Sequence, residues 1–343
     1  MKRITIKDIA KTLGYSIGTV SKALADSHEI SEVTKVEIQK FADENGYQYN
    51  QYAKLLRTGK TNIIGMIVPK IGNSFFSQIL EGIEEKMSKT VYNLIIMQSY
   101  DDPVRELNLL ETLFKKGADA IIIAPTGNCI SLDYLRKLKK DGIPVVLIDR
   151  INYAISTHKI GIDNFRAVYQ GISHLISMGC MDILFISSMA KGVVEERRRG
   201  YLQCLNDSGI QINYENLLSI DVEKNGENSR EELIKYFAQR IQENILPDAI
   251  FTASDQLTYQ VLEVLHALNI EVPKIIALLG FANFTFSNLF SPPLSCIVQP
   301  SKEMGSKAFA LIEEILDKPN RQESSSFEDI KLPVKMEIRQ STN

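Results

Sequence analysis

Over the first 45 or so positions apolar residues recur every three or four places, and beyond Thr61 the pattern changes to short unbroken apolar runs separated by helical stretches. Ile6, Ile9, Ala10 and Leu13 fall on one helical face. Thr5 supplies an N-cap with Asp8 in the first turn, and Gly14 ends the helix where a positive φ costs least. Ser16 can cap a second helix that turns Val20, Ala23 and Leu24 inward and leaves Ile17, Gly18, Ser21 and Lys22 outward. Two such helices alone make an αα-hairpin or a helix-turn-helix. A third segment opens at Ser31 and ends near Gly46, with Val33, Val36, Ile38 and Phe41 expected to close a small three-helix core. A short helix-forming stretch, Asn50 to Arg57, then precedes a strand at Ile63.

The runs IIGMIVP, LIIMQS, ADAIIIAP and PVVLIDR are too continuous for half-exposed strands, and helical stretches such as 74 to 89 and 104 to 116 separate them. Parallel strands covered on both faces are expected. After Asp149-Arg150 and a polar link to His158 the alternation starts again with KIGID, followed by DILFISS, AIFTAS and IIALLGFA with helices between. This second series predicts a second sheet, hence two similar subdomains with a cleft between them. SCIVQP, a helix from Ser301 to Leu316 and a last strand near Val334 to Arg339 are left over, and 319 to 329 reads as an exposed linker.

A chain of 343 residues exceeds one core, so a small and a larger domain are expected. Its 44% hydrophobic and 24% charged residues are those of an ordinary soluble protein, and with neither an apolar run of about 20 residues nor a secretory pattern, the expected location is the cytoplasm. The net charge of -3 is uneven: residues 1 to 61 hold ten Lys/Arg against seven Asp/Glu, a net of +3, which leaves -6 for the rest. A basic head on an acidic body suits contact with phosphate through one end. Cys129, Cys180, Cys204 and Cys296 lie far apart, as expected of buried free thiols. Gly59-Lys60-Thr61 mimics the end of a phosphate-binding loop, but position 54 is Lys54, a helix-like segment precedes it and a strand follows. No nucleophile-base set or metal spacing appears, and with four histidines, at 28, 158, 174 and 266, neither an enzyme nor a bound cofactor is expected.

In order and spacing, TIKDIA, TVSKAL, NQYAKLLRTGKTNIIGMIVP, GNSFF, IPVVLIDR, GIDN, ERRRGY, SDQ, GFAN, SPPLSCIVQP and EIRQST together resemble the lactose-repressor (LacI/GalR) family of bacterial transcription regulators over essentially the whole chain. The resemblance implies an N-terminal all-α helix-turn-helix head plus an α/β two-subdomain body like the type I periplasmic binding proteins. It divides the chain into a head at 1–49, a hinge helix and linker at 50–61, one subdomain from 62–158 with 287–317, and a second from 159–286 with 318–343. The chain would cross between subdomains three times.

The same resemblance points to double-stranded operator DNA, near-palindromic, as partner, with a second copy of the chain completing a homodimer, a small carbohydrate-like effector in the cleft and no membrane partner. Ile17, Gly18 and Lys22, with Ser21 beside them, would face the major groove; Lys22 can donate to guanine O6 and N7, and Ile17 can meet a thymine methyl. Thr5, Ser16 and Thr19 would contact phosphate, helped by the helix N-terminus. Asn50, Ala53 and Leu56 match a hinge helix entering the minor groove, with Leu56 as wedge and Lys54 toward phosphate. Effector contacts would come from Phe75, Phe76, Asp149, Arg150, Asp163, Arg197, Ser254 and Asp255. Plainer readings stand beside these: Ile17 packing on the first helix, Arg197 as solvated surface, Asp163 and Asp255 as helix caps.

Two departures bear on the ligand. Gly280-Phe281-Ala282-Asn283 stands where the family has GFDD, and Ser254-Asp255 replaces an Asn-Asp pair. A common free sugar is therefore disfavoured. A phosphorylated or acidic sugar could use the arginines, and a regulator without an effector, or a two-lobed solute-binding protein, are the alternative readings.

Overall fold

The computed structural model describes residues 4–47, 60–126, 131–189, 192–221, 226–318 and 327–343, with backbone alone at 226–228. It forms two compact units, 1–61 and 62–343.

In the first unit, α1 (Ile6–Leu13) begins with a capping box: the Thr5 hydroxyl accepts from the Asp8 N–H, and the Asp8 carboxylate accepts from the Thr5 N–H at 2.9 Å. Gly14 closes it at φ 72°. α2 (Ile17–Leu24) starts at Ser16, whose oxygen accepts the Thr19 N–H, and α3 (Glu32–Glu44) starts at Ser31 in the same way. Ile9, Ala10, Val20, Ala23, Ile38 and Ala42 form the core. Val33 and Val36, expected inside, are 81% and 64% exposed. Positions 36 and 38 are about 200° apart on a helix, so only one set can turn inward. The face that does so is 35, 38 and 42, where the stem of Lys35 is buried and its ammonium pairs with Asp26 and Glu32, each at 2.8 Å.

In the second unit two six-stranded sheets alternate with helices. The first contains β1 (Ile63–Val68), β2 (Asn93–Gln98), β3 (Ala120–Ile123), β4 (Val145–Ile148), β5 (His158–Ile162) and β11 (Asp329–Leu332), ordered β11-β5-β4-β3-β1-β2. The second contains β6 (Ile183–Ser188), β7 (Leu217–Ile220), β8 (Ala249–Thr252), β9 (Ala277–Phe281), β10 (Ser295–Val298) and β12 (Lys335–Glu337), ordered β12-β10-β9-β8-β6-β7. Strand pairs are parallel except β10 with β12. The helices are α4 (Ser74–Met87), α5 (Pro103–Lys115), α6 (Leu132–Lys140), α7 (Asn164–Ser177), α8 (Val193–Asp207), α9 (Gly226–Glu243), α10 (Asp255–Ala267) and α11 (Ser301–Asp317).

The sheets correct several expectations. KIGID belongs to the first sheet, not the second, because β5 lies in parallel register on β4, Ile148 opposite Ile160. The segment 287–317 divides: β10 pairs with β9 in the second sheet, and only α11 packs on the first, against α4. Likewise 318–343 divides, because β11 joins β5 while β12 joins β10. Asp329, expected to end a linker, begins that strand. The run LIIMQS is not covered on both faces; as β2 it forms an edge, with Ile96 36% exposed.

The sheets exchange chain at three places: between β5 and α7, between β10 and α11, and between β11 and β12. α4 and α11 meet at backbone distance, since a Cβ on Gly82 would sit 2.0 Å from the Lys302 carbonyl oxygen and one on Gly305 2.0 Å from that of Ile79. Cys180, Cys204 and Cys296 are free and buried, which raises their thiol pKa values, and Cys129 lies outside the described residues. Among the described residues no helix is long and apolar enough to cross a membrane.

Candidate functional site

In the first unit, the start of α2 stands open to solvent. Ile17 is 49% exposed, so it does not pack away against α1, and Gly18 is exposed beside it. A Cβ on Gly18 would meet only the Ser16 oxygen, at 3.6 Å, so the missing side chain is no requirement of packing. Ser21 is half-buried, and Lys22 is exposed with its ammonium paired to Glu29. That hydrogen bond, together with the charge of Lys22, pulls the Glu29 carboxyl below its usual range. Thr5, Ser16 and Thr19, the expected phosphate contacts, are all engaged in capping: Ser16 and Thr19 share a hydroxyl hydrogen bond of 2.9 Å, and the Thr5 hydroxyl donates to Asp8 at 2.6 Å. These caps occupy one N–H group at each helix start, and the first-turn N–H groups they leave unpaired are the ones an anion can reach. Asn50, Ala53, Lys54 and Leu56 lie outside the described residues.

In the second unit, a small cavity of about 150 Å³ opens between the two sheets, lined by Lys70, Asn73, Phe76, Tyr100, Arg150, Ser188, Ser254 and Gln256 among others. Three expected effector residues therefore meet there: Phe76, Arg150 and Ser254. Phe75 does not line it. Neighbours on a helix point about 100° apart, and Phe75 enters the core with its ring edge-on to Phe76 at 5.0 Å. Asp163 is also absent from the lining; it is exposed at the first crossing and caps α7, accepting the Arg166 N–H at 2.9 Å.

Behind the cavity wall lie Asp149, Arg197 and Asp255, all more than nine-tenths buried and near enough to feel one another's charge. Arg197 is not solvated surface. Its guanidinium donates to Asn164 Oδ1 at 2.7 Å, to the Ala253 carbonyl at 2.5 Å and to Gln299 Oε1 at 3.2 Å, and lies 3.6 Å over the Phe281 ring. Burial brings its pKa down to about 10 against the pull of Asp149 and Asp255. Arg150 forms a two-pronged ion pair with Asp101. Asp149 is held at φ 62°, and burial raises its carboxyl above the usual range. Burial pushes Asp255 up to about 6, against backbone hydrogen bonds and the charge of Arg197 that favour its ionised form. Its Oδ2 is buried and has no hydrogen-bond partner. Asp255 is the first residue of α10 and Ser254 is the cap, accepting the Leu257 N–H at 3.4 Å. Ala282 is wholly buried in the apolar core of the second sheet.

Lys70, Tyr100, Asp101, Ser188 and Gln256 escaped the sequence reading. A signal existed for two of them: Tyr100 and Asp101 hold positive φ angles of 52° and 55°, and the Asp-Asp-Pro that follows Tyr100 marks a turn at a strand end, where α/β sheets bind ligands.

Residues 5–50 match the profile described as "Bacterial regulatory proteins, lacI family", and residues 172–342 match "Periplasmic binding protein-like domain". The NTD biosynthesis operon regulator NtdR of Bacillus subtilis is 30% identical over 340 residues, covering 98% of this chain and 99% of that protein. A LacI family transcriptional regulator from Enterococcus faecium, solved with bound ribose, is 25% identical with a TM-score of 0.69, covering 81% of this chain and 98% of that one. The lac repressor dimer, solved on its operator with an anti-inducer, has the same fold, at a TM-score of 0.81 and 18% identity over 99% of both chains. With the helix-turn-helix in its first unit and two helix-covered sheets in the unit that follows in sequence, this chain belongs to the lacI family of bacterial regulatory proteins.

Proposed function

We propose that the protein is a cytoplasmic transcriptional repressor that binds a near-palindromic operator as a homodimer and whose DNA affinity is set by a small polar, carbohydrate-like ligand in the cleft of the second unit. The observation that carries this reading is the solvent-facing start of α2, where Ile17, Gly18 and Lys22 stand clear of the core on a helix whose end is capped. Lys22 reads a guanine edge once it leaves Glu29, Ile17 meets a thymine methyl, and Gly18 leaves its base pair unread. One three-helix head spans too few base pairs for specificity, so two copies read two half-sites.

The cleft supports the ligand half of the proposal through its lining: an aromatic ring, Phe76, with hydroxyl, amide and guanidinium groups drawn from both sheets. Coupling between ligand and operator is reciprocal, so a ligand that loosens DNA binds the DNA complex more weakly by the same factor. The hinge contribution of Asn50, Ala53, Lys54 and Leu56 rests on the family resemblance alone. Selection of bound sequences from random duplex DNA, followed by titration at several salt concentrations, tests the proposal. A symmetrical site with affinity falling steeply in salt supports it; a single unrepeated half-site bound by a monomer, or no salt-dependent duplex binding, overturns it.

A further inference from the structure

We infer that Asp119, which belongs neither to the open face of α2 nor to the cavity lining, sets operator affinity by fixing the direction in which the chain leaves the second unit toward the head. This rests on the regulator reading above and adds a positioning residue to it.

The chain passes from the first unit to the second between Thr61 and Asn62. Asn62, the last residue before β1, is held from both sides: its N–H donates to Asp119 Oδ2 at 2.6 Å, and its carbonyl accepts the Asn93 N–H at 2.7 Å. The Asp119 N–H in turn donates to the Ile63 carbonyl at 2.7 Å. One residue at the start of β3 therefore grips both Asn62 and Ile63. Asp119 is only 6% exposed, and an ionised acceptor makes a shorter and stronger bond to an N–H than a neutral one does.

The backbone of Asn62 shows what this grip is for. Its φ is 58°, in the left-handed region that asparagine tolerates better than most residues but does not prefer. The chain therefore turns where it enters β1 instead of running straight into it. With the Asp119 acceptor removed, the extended region reopens to Asn62, and the preceding chain leaves in other directions.

The strands that start at this clamp end at the cavity. Asn62 leads into β1, whose far end is followed by Pro69 and Lys70, and Asn93 begins β2, whose far end is followed by Tyr100 and Asp101; all four of those residues line the cavity. The pair is tied there too, by the Tyr100 N–H donating to the Pro69 carbonyl at 2.9 Å. The six residues of β1 span about 20 Å at roughly 3.3 Å each. A strand pair fastened at both ends shifts as one piece. Displacement of Lys70 or Tyr100 by a ligand is then carried to the clamp, and the clamp passes it on as a change in where the linker points.

The test measures the affinity of the full chain, without added ligand, for an operator selected from random duplex DNA. Molecules whose linker points correctly bind at full strength, so apparent affinity falls with their fraction. Asp119→Ala is expected to weaken operator binding by about tenfold or more with base preference unchanged. Asp119→Asn, whose amide oxygen still accepts the N–H, is expected to stay within about threefold of wild type. Insertion of two glycines between Thr61 and Asn62 leaves the clamp whole but frees the linker, so it should weaken binding about as much as Asp119→Ala while the urea midpoint stays put. Adding Asp119→Ala to the insertion should then lower affinity no further. Operator binding by Asp119→Ala within about threefold of wild type, or losses that multiply in the combined variant, would overturn the inference. Should Asp119→Ala fail to fold, an insertion variant that binds like wild type overturns it alone. Absence of wild-type operator binding would overturn the regulator reading and this inference together, whereas normal wild-type binding with unaffected variants overturns only the inference.

Discussion

Replacing Asp255 by Asn should remove a pH-dependent loss of stability. Burial lifts the folded carboxyl from 3.8 to about 6, two units or so, and at about 1.4 kcal/mol per unit the ionised form is disfavoured by about 3 kcal/mol in the folded state. Because the folded pKa lies above the unfolded one, the contribution is fully present below the unfolded value and is lost as pH rises through about 6. At pH 5 about half of it survives, so about 1.5 kcal/mol of wild-type stability should disappear between pH 5 and pH 7.5 on account of this residue. The Asp255→Asn variant should not show that component. Asp149, also raised, is present in both proteins but feels the charge of Asp255, so the difference between the two pH profiles reports Asp255 together with its coupling to Asp149. Urea denaturation followed by circular dichroism suits the chain, which has no Trp. Parallel profiles, offset by a constant, would refute the argument by showing that the carboxyl titrates in the folded protein as it does in the unfolded one.

Other outcomes follow from the two units separately. Lys22→Ala should relax discrimination at one base pair per half-site in a selection experiment, while Glu29→Gln, which frees Lys22, should tighten DNA binding a few-fold; unchanged base preference in the first would mean Lys22 meets only phosphate. Gly18→Ala should leave the head folded and slightly more stable, because the added methyl has room and glycine costs roughly 0.5–1 kcal/mol in a helix; a lower melting temperature would contradict this. Gly82→Ala should destabilise the larger unit by about 1–3 kcal/mol or more, since its methyl meets the Lys302 backbone on a helix that cannot withdraw cheaply, and a neutral effect in urea denaturation would be inconsistent with the close crossing.

The sequence made the caps and the buried strands legible because both are local. Thr5, Ser16 and Ser31 announce helix starts through their own hydroxyls, and an unbroken run such as IIGMIV has to be covered on both sides. Strand membership was less legible. Nothing within KIGID distinguishes the end of one sheet from the start of the next, because the decision is made by pairing with β4 and β11, the latter more than 160 residues away. The faces of α3 were misread for a different reason: a long Lys stem buries as effectively as Val, and Lys35 took the inward place that Val36 was expected to fill. At the candidate site the residue types were readable and their engagements were not. Arg197 reads as a ligand grip, with solvated surface as the plainer alternative, until Asn164, Ala253 and Gln299 are seen around it.

Gln299, at the second crossing, holds two structures together at once. Its side chain receives Arg197, while its backbone N–H donates to Asn283 Oδ1 at 3.1 Å and its carbonyl accepts from Asn283 Nδ2 at 2.7 Å. Asn283 in turn reaches Gln78 of α4 and the Ser301 hydroxyl, and Gln78 returns a bond to the Asn283 carbonyl at 2.8 Å. These bonds tie α4, on the first sheet, to the loop after β9, on the second. The sheets are thus pinned at this point, and relative motion there takes the form of rotation more readily than separation. A change in the Arg197 contact is therefore passed through Gln299 to Asn283 and Gln78, so the burial of one guanidinium in the second sheet and the rigidity of the joint with the first share a single amide.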